Sequence, residues 1–424
     1  MKKLIACIAV AAASMSVFAA PQVSDVVMTQ DGGRTVTISY TLANEPGIVT
    51  VDVQTNAGDM GWVSIGGQHL TYFAGDANKL VQPGQRTITW KPRKAWPDNA
   101  VTENVKAVVS AWATNAPPDY MAVSLTVTNA VNYYTCAENV PFGVTHEMYK
   151  TEYLLLRKIP AANVQWRMGS PTTENGRTAA SETPHLVTLG EDYYIGVYPV
   201  TQRQYELMMS KRPSNFKLDA DYATRPVENV SYDVLRGKAT DGYDWPKNGH
   251  AVLSTGFIGK LRAHAGIVGF DLPTDAQWEF ACRAGCGSAL YNGKELEDTT
   301  TSANLNPLGR YRYNGGWGPT GATYPGTTCT ADMGTAKVGS YEPNAWGIYD
   351  MLGNVWEWCL DWYQESPLGF DVATGPSTGT ARVWRGGSFN GASSPCRAAY
   401  RAGPTPNSAN LQLGFRLACS IGQP

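Results

Sequence analysis

Between Gly353 and Tyr363 the chain reads GNVWEWCLDWY, with three tryptophans (Trp356, Trp358, Trp362) enclosing two carboxylates, Glu357 and Asp361. Aromatic side chains of this size bury large apolar areas and belong in a core. A carboxylate carried in among them has to be compensated, and a bound cation or an arginine are the usual partners. Arginines stand close by in sequence, Arg385 within RVWRGGSF and Arg416 within LGFRLA. The second chemically capable set is the thiols. Setting aside Cys7, seven remain: Cys136, Cys282, Cys286, Cys329, Cys359, Cys396 and Cys419. An odd count leaves at least one thiol unpaired in a monomer. Cys396 is followed by Arg397, whose charge would lower a thiol pKa and favour reactivity if the sulfur were exposed.

Other chemistries find no support. The five histidines, His69, His146, His185, His250 and His264, show no HExxH or HxH spacing, so zinc hydrolysis is not indicated. GxSxG, phosphate-binding and dinucleotide-binding loops are absent from the sequence. A net charge of -2 gives no electrostatic basis for binding nucleic acid or anionic membranes. Tyr311, Tyr313, Trp317 and Tyr324 are candidates for lining a peptide or glycan groove, or else for packing their own loop.

These residues need elements to hold them. The 424 residues suggest two domains behind a leader. Lys2 and Lys3, the apolar run Leu4–Phe18, and small residues at Val17 and Ala19 read as a secretory signal cut after Ala19 or Ala20. The run is shorter than the ~20 residues of a membrane span. A secreted or periplasmic protein with no span after cleavage is therefore expected, in a compartment that allows disulfides. Residues 21–135 read as an all-β sandwich of immunoglobulin or fibronectin type. Period-two alternation appears in RTVTISYTL, GIVTVDVQT, RTITW, VKAVVSAWA and MAVSLTVT. The expected linker is Asn129–Thr145. The second domain, 150–420, reads as mixed α+β with long loops. Helices are expected at Thr201–Met209 and Thr274–Ala284, each with a threonine at its N-cap.

The segments from about Glu152 to Cys419 resemble the formylglycine-generating-enzyme (sulfatase-modifying factor) family. They run in that family's order: MGS, YYIGVYPVTQRQYELMM, RPVENVSYD, LPTDAQWEFACRAG, VGSYEPNAWGIYDMLGNVWEW, RGGSF and LGFR. The resemblance implies a fold related to C-type lectins. In active members, copper held by two cysteines after GGSF oxidises a substrate cysteine. Those positions fall on Gly391 and Cys396 here, with Ser388 retained. Glycine supplies no ligand, and copper(I) favours thiolate pairs, so a copper site is not expected. A sulfoxide synthase would also need a histidine-bearing helical bundle where this chain has β structure. The resemblance implies a Cys359–Cys396 disulfide, with Cys282–Cys419 a further candidate. It also implies calcium held by Asp350, the carbonyls of Gly353 and Val355, and Glu357. The alternative for Glu357 is an arginine, Arg385 or Arg416. A second calcium site would map near Asn304 and Leu305, with Thr330 or Asp332 as its later ligand.

Two functions remain open. One is an exported, non-catalytic, calcium-braced module that captures peptide, glycan or another exported protein. The other is an oxidoreductase that modifies a thiol through Cys396.

Overall fold

The computed structural model describes residues 19–217, 220–317, 333–365 and 373–421. The leader, Cys329, Tyr324, Thr330 and Asp332 lie outside them. No helix among the described residues is long and apolar enough to cross a membrane.

The first unit is a sandwich. Its strands are β1 (Gln22–Gln30), β2 (Val36–Ala43), β3 (Gly47–Asn56), β4 (Trp62–Ser64), β5 (Phe73–Gly75), β6 (Lys79–Val81), β7 (Gly84–Trp90) and β8 (Val105–Trp112). One sheet has the order β1-β2-β7-β5, and the other has β4-β3-β6 with β8 also on β3. Alternation places Val36, Ile38, Tyr40 and Leu42 of β2 on the inner face. They meet Val49, Val51 and Val53 of β3 in one core, with Trp90 fully buried between the sheets. A short helix, α1 (Pro92–Ala95), follows β7.

The second unit is built on a six-stranded sheet, β10-β9-β11-β14-β20-β15. These strands are β9 (Tyr120–Ser124), β10 (Val131–Tyr134), β11 (Tyr153–Ile159), β14 (Tyr193–Gly196), β15 (Phe270–Asp271) and β20 (Ala418–Ser420). The strand expected at Met121–Thr128 forms as β9, but it joins this sheet instead of the sandwich. The physical reason is that β9 is buried on both faces. Met121 and Val123 pack into one cluster, and Tyr120 and Ala122 into another. A strand of that kind sits inside a two-sided layer, not on a half-solvated face. The crossing between units therefore falls between β8 and β9, and the expected linker Asn129–Thr145 contains β10.

Two smaller sheets complete the unit. One pairs β12 (Val164–Met168) with β13 (His185–Leu189). The other runs β18-β17-β16-β19, from β16 (Trp356–Trp362), β17 (Arg382–Arg385), β18 (Arg401–Ala402) and β19 (Leu413–Gly414). Both expected helices form, as α2 (Gln202–Met209) and α5 (Asp275–Arg283). Thr201 and Thr274 each close a capping box with a glutamine three residues on, Gln204 and Gln277. Two further helices are α3 (Tyr232–Arg236) and α4 (Phe257–Ala265). The architecture is thus the expected α+β fold with an N-terminal β-sandwich.

Candidate functional site

All seven residues of β16 are buried. Period two sorts them. Trp356, Trp358 and Leu360 enter one hydrophobic cluster, while Cys359 enters the other. Trp356 stacks on Trp384 at 4.7 Å, and Trp358 donates its indole N–H to Val230 O at 3.0 Å. Glu357 and Asp361 share the face of Cys359, which looks toward α5.

Glu357 is held by three donors. Arg416 reaches Oε1 with Nη2 at 2.9 Å and Oε2 with Nε at 3.0 Å. Trp278 of α5 donates its indole N–H to Oε2 at 2.6 Å. Arg416 was one of the two arginine partners expected for this carboxylate. The other, Arg385, serves different acids: its Nη2 lies 3.0 Å from Glu279, and its Nε donates to Asp275, which also takes Arg401 at 2.7 Å. Burial alone would raise the Asp275 pKa, but these two guanidiniums hold it below the usual carboxylate range. Asp361 accepts from the Asp275 N–H at 2.6 Å and has no ion-pair partner among the described residues. Burial, and then the Asp275 charge, push its pKa up.

Asp350 is also buried, at 1% exposure. Its Oδ2 accepts from Gly339 N–H at 2.6 Å and its Oδ1 from Asn354 Nδ2 at 3.4 Å. Burial pushes its pKa up to about 6, against the opposing pull of Gly339 and Arg416 and with a further push from Glu357. Among the described residues no hydrogen bond reaches the buried carbonyls of Gly353 and Val355. A buried acid with no ion-pair partner among the described residues, followed three and five residues on by carbonyls that accept no hydrogen bond, supplies oxygen donors of the kind a hard cation takes. One carboxylate and two carbonyls, at Asp350, Gly353 and Val355, are donor types that calcium accepts. Glu357 contributes charge to that region while already engaged by Arg416. Among the described residues no three acidic, histidine or cysteine side chains are grouped so as to hold a metal ion, so any cation here relies on backbone oxygen. At the second calcium position, Asn304 instead ties down its own loop, with its N–H on Glu297 at 3.1 Å and Nδ2 on Glu295 O at 3.0 Å.

The thiols depart from expectation. Cys282, Cys359, Cys396 and Cys419 are all unpaired. Cys359 Sγ turns to Glu357 O at 4.0 Å, and Cys396 Sγ turns to Ala392 O at 3.6 Å. Each sulfur is thus aimed back at its own segment. Cys282 and Cys419 belong to different core clusters. Cys396 is fully buried, and burial pushes its pKa up to about 12. Arg397 does little to reverse this, because its guanidinium is taken by Glu174 and by both oxygens of Glu182 at 2.8 Å. Gly387, at φ 76°, lets the sulfur approach so closely that a Cβ there would meet it at 2.5 Å. Ser388 is fully buried and donates to Gln412 Oε1 at 2.8 Å. Gly391, by contrast, is half-buried, and a Cβ there would make only ordinary contact with Ser388, at 3.6 and 3.9 Å.

The aromatic groove is revised as well. Tyr311 is 2% exposed, and its hydroxyl accepts from Ser302 N–H at 3.1 Å, so it is a core residue. Tyr313 is exposed, and Trp317 lies under the Arg312 guanidinium at 4.0 Å. His250 belongs to no metal-binding spacing, yet its Nδ1 lies 2.9 Å from Asp271, which Arg236 grips with two donors. The two residues are 21 apart with no local motif between them, so spacing gave no signal.

The profile of the sulfatase-modifying factor enzyme 1-like domain matches residues 158–421. The formylglycine-generating enzyme of Thermomonospora curvata is 42% identical over 168 residues, 37% of this chain and 51% of that protein. The inactive C-alpha-formylglycine-generating enzyme 2 of Bos taurus is 26% identical, over 63% of this chain and 88% of its own length. The chain spans about half the length of the formylglycine-generating enzymes it matches in bacteria. Among solved structures, Treponema denticola variable protein 1 aligns with TM-score 0.46 and 26% identity, over 64% of this chain and 96% of that one. The profile spans well over half of the 424 residues, and the chain belongs to the sulfatase-modifying factor enzyme 1-like domain family.

Proposed function

We propose that this protein is an exported, non-catalytic member of its family, a calcium-braced module that binds peptide or glycan. One observation carries the reading. Where two thiolates would hold copper, this chain offers Gly391 and a cysteine whose sulfur is sealed in the core beneath Gly387. A thiol acts as nucleophile or metal ligand only as thiolate, and burial pushes the Cys396 pKa up to about 12. A single protonated sulfur is no site for copper(I). That a similar protein is itself called inactive agrees with this reading. The buried ion pairs of Arg416, Arg385 and Arg397 then serve to fix long loops around a rigid surface. The calcium set at Asp350, Gly353 and Val355 would add to that bracing. A copper(I) competition titration against a colorimetric chelator tests the reading. The expected result is no uptake by the folded protein, and stoichiometric uptake that is lost in Cys396→Ser would overturn it.

A further inference from the structure

A cavity of about 140 Å³ lies where the sandwich, the crossing segment after β8 and the six-stranded sheet meet. Its floor is Ile48 of β3, Met121 of β9, Tyr194 of β14 and Cys419 of β20, each 3% exposed or less. Leu80, 49% exposed, and the exposed Thr114 stand at its mouth. No charged side chain among the described residues lines it. Arg262 is near enough for its charge to act on Cys419, but its donors go to Phe270 O, His250 O and Asp271. The hydroxyls in the wall differ in their situation. Tyr194 donates to Pro118 O. Thr114 is at the mouth, and Ser420 follows Cys419 along β20, so its side chain leaves the sheet on the opposite face. Tyr133 is left: its hydroxyl makes no hydrogen bond among the described residues, and the influence of Cys419 on it places it at the floor. The residue is pinned there by its pairing with Met121 and by its N–H, given to Asn78 O of the sandwich at 2.8 Å.

We propose that this cavity binds a neutral single-ring molecule carrying one hydroxyl, of which phenol is the simplest, with the Tyr133 hydroxyl as its hydrogen-bond partner. Size sets the first limit. An apolar protein cavity of about 150 Å³ holds one benzene, and this one has about 140 Å³. Wall chemistry sets the second. A charged ligand would give up its hydration and find no opposite charge in the lining. A sugar or a peptide would bring several polar groups against Ile48, Met121 and Leu80, which offer side chains with nothing to bond them. A hydrocarbon would fill the space and leave the Tyr133 hydroxyl unpaired. A phenol meets both demands, with its ring on the apolar floor beside the Met121 thioether and its hydroxyl on Tyr133. The ligand would touch both units, Ile48 and Leu80 from the sandwich and Met121 and Tyr133 from the larger sheet. Small-molecule sites favour such domain junctions. The proposal goes beyond the binding-module reading and does not rest on it.

The test is calorimetry of the full chain with phenol and with benzene, on wild type, Tyr133→Phe and Cys419→Met. Wild type should bind phenol saturably. Tyr133→Phe removes only the hydroxyl, so it should weaken phenol binding relative to benzene by about fivefold or more, the worth of one net hydrogen bond. Cys419→Met fills the floor and should abolish binding of both probes. No saturable binding of phenol by wild type, or a smaller relative loss in Tyr133→Phe, overturns the proposal. Undiminished binding by a folded Cys419→Met would place the probes elsewhere and overturn it too. Should Cys419→Met fail to fold, the Tyr133→Phe comparison decides alone. None of these results bears on copper chemistry or on peptide and glycan binding, which are read separately.

Discussion

Arg416 grips Glu357 through both carboxylate oxygens, at 2.9 and 3.0 Å, with each side chain 1% exposed or less. The pair joins the strand that carries WEW to the segment that carries GFR, and Trp278 of α5 closes the triangle. Arg416 also donates to Gly196 O and Tyr349 O, so one guanidinium fastens four parts of the chain. Removing one partner of a buried pair leaves the other charge uncompensated, at a typical cost of ~3–5 kcal/mol. Arg416→Met should lower the unfolding free energy by that amount in urea denaturation. A loss under ~1 kcal/mol, the range of an exposed pair, would show that the pair does not hold the fold.

Calcium should stabilise the protein through Asp350. A ligand that binds only the folded state adds about 2.7 kcal/mol at a hundredfold excess over its dissociation constant. Chelator should therefore lower the melting temperature of wild type, and calcium should restore it. Asp350→Asn keeps the side chain's shape and removes its charge, so the calcium-dependent shift should shrink. A wild type indifferent to chelator, with no calcium by elemental analysis, refutes the site.

Stability should fall as pH rises from about 4.5 to about 8, in part through Glu228. This residue is fully buried, its Oε1 accepts from Phe216 N–H at 2.9 Å, and its Oε2 has no hydrogen-bond partner among the described residues. Burial pushes its pKa up to about 8. Between the unfolded and folded pKa values the native state holds the proton and the unfolded state does not. Stability is then highest below the unfolded value and declines by at most ~1.4 kcal/mol per pH unit until pH passes the folded value. Glu228→Gln should flatten this part of the profile. An unchanged slope in the variant would exclude Glu228 as its source.

The four core thiols should be reduced and unreactive in the native state. Cys282, Cys359, Cys396 and Cys419 are each 3% exposed or less, and burial raises every one of their pKa values. Alkylation at pH 8 should label them only after denaturant is added, without reductant. Recovery of a linked Cys359–Cys396 peptide would contradict the structure.

Legibility in the sequence varied for physical reasons. Helices α2 and α5 could be placed because Thr201 and Thr274 carry their own start signals, with the glutamine that completes each box three residues on. Helix α4 begins at Phe257 behind an N-cap Gly256 that offers no side-chain cap, and nothing local marks it. The need for an arginine or a cation at Glu357 followed from carboxylates set among tryptophans, while the choice of Arg416 depended on how distant segments meet. Strand β9 was visible as a strand, but its sheet was not, because alternation does not report which neighbour covers the second face. Disulfide pairing rested on resemblance alone, and the structure leaves the four cysteines unpaired.

The most direct measurement of the central claim is turnover. A sulfatase-motif peptide should be incubated with the protein and supplied copper, and its mass followed for the change from cysteine to formylglycine. Position 391 has room for a side chain, so Gly391→Cys should fold with little loss. It should still be inactive, since the Cys396 sulfur stays turned into the core. The account predicts unaltered peptide with both proteins. Formylglycine made by the unmodified chain, and abolished by Cys396→Ser, would contradict it.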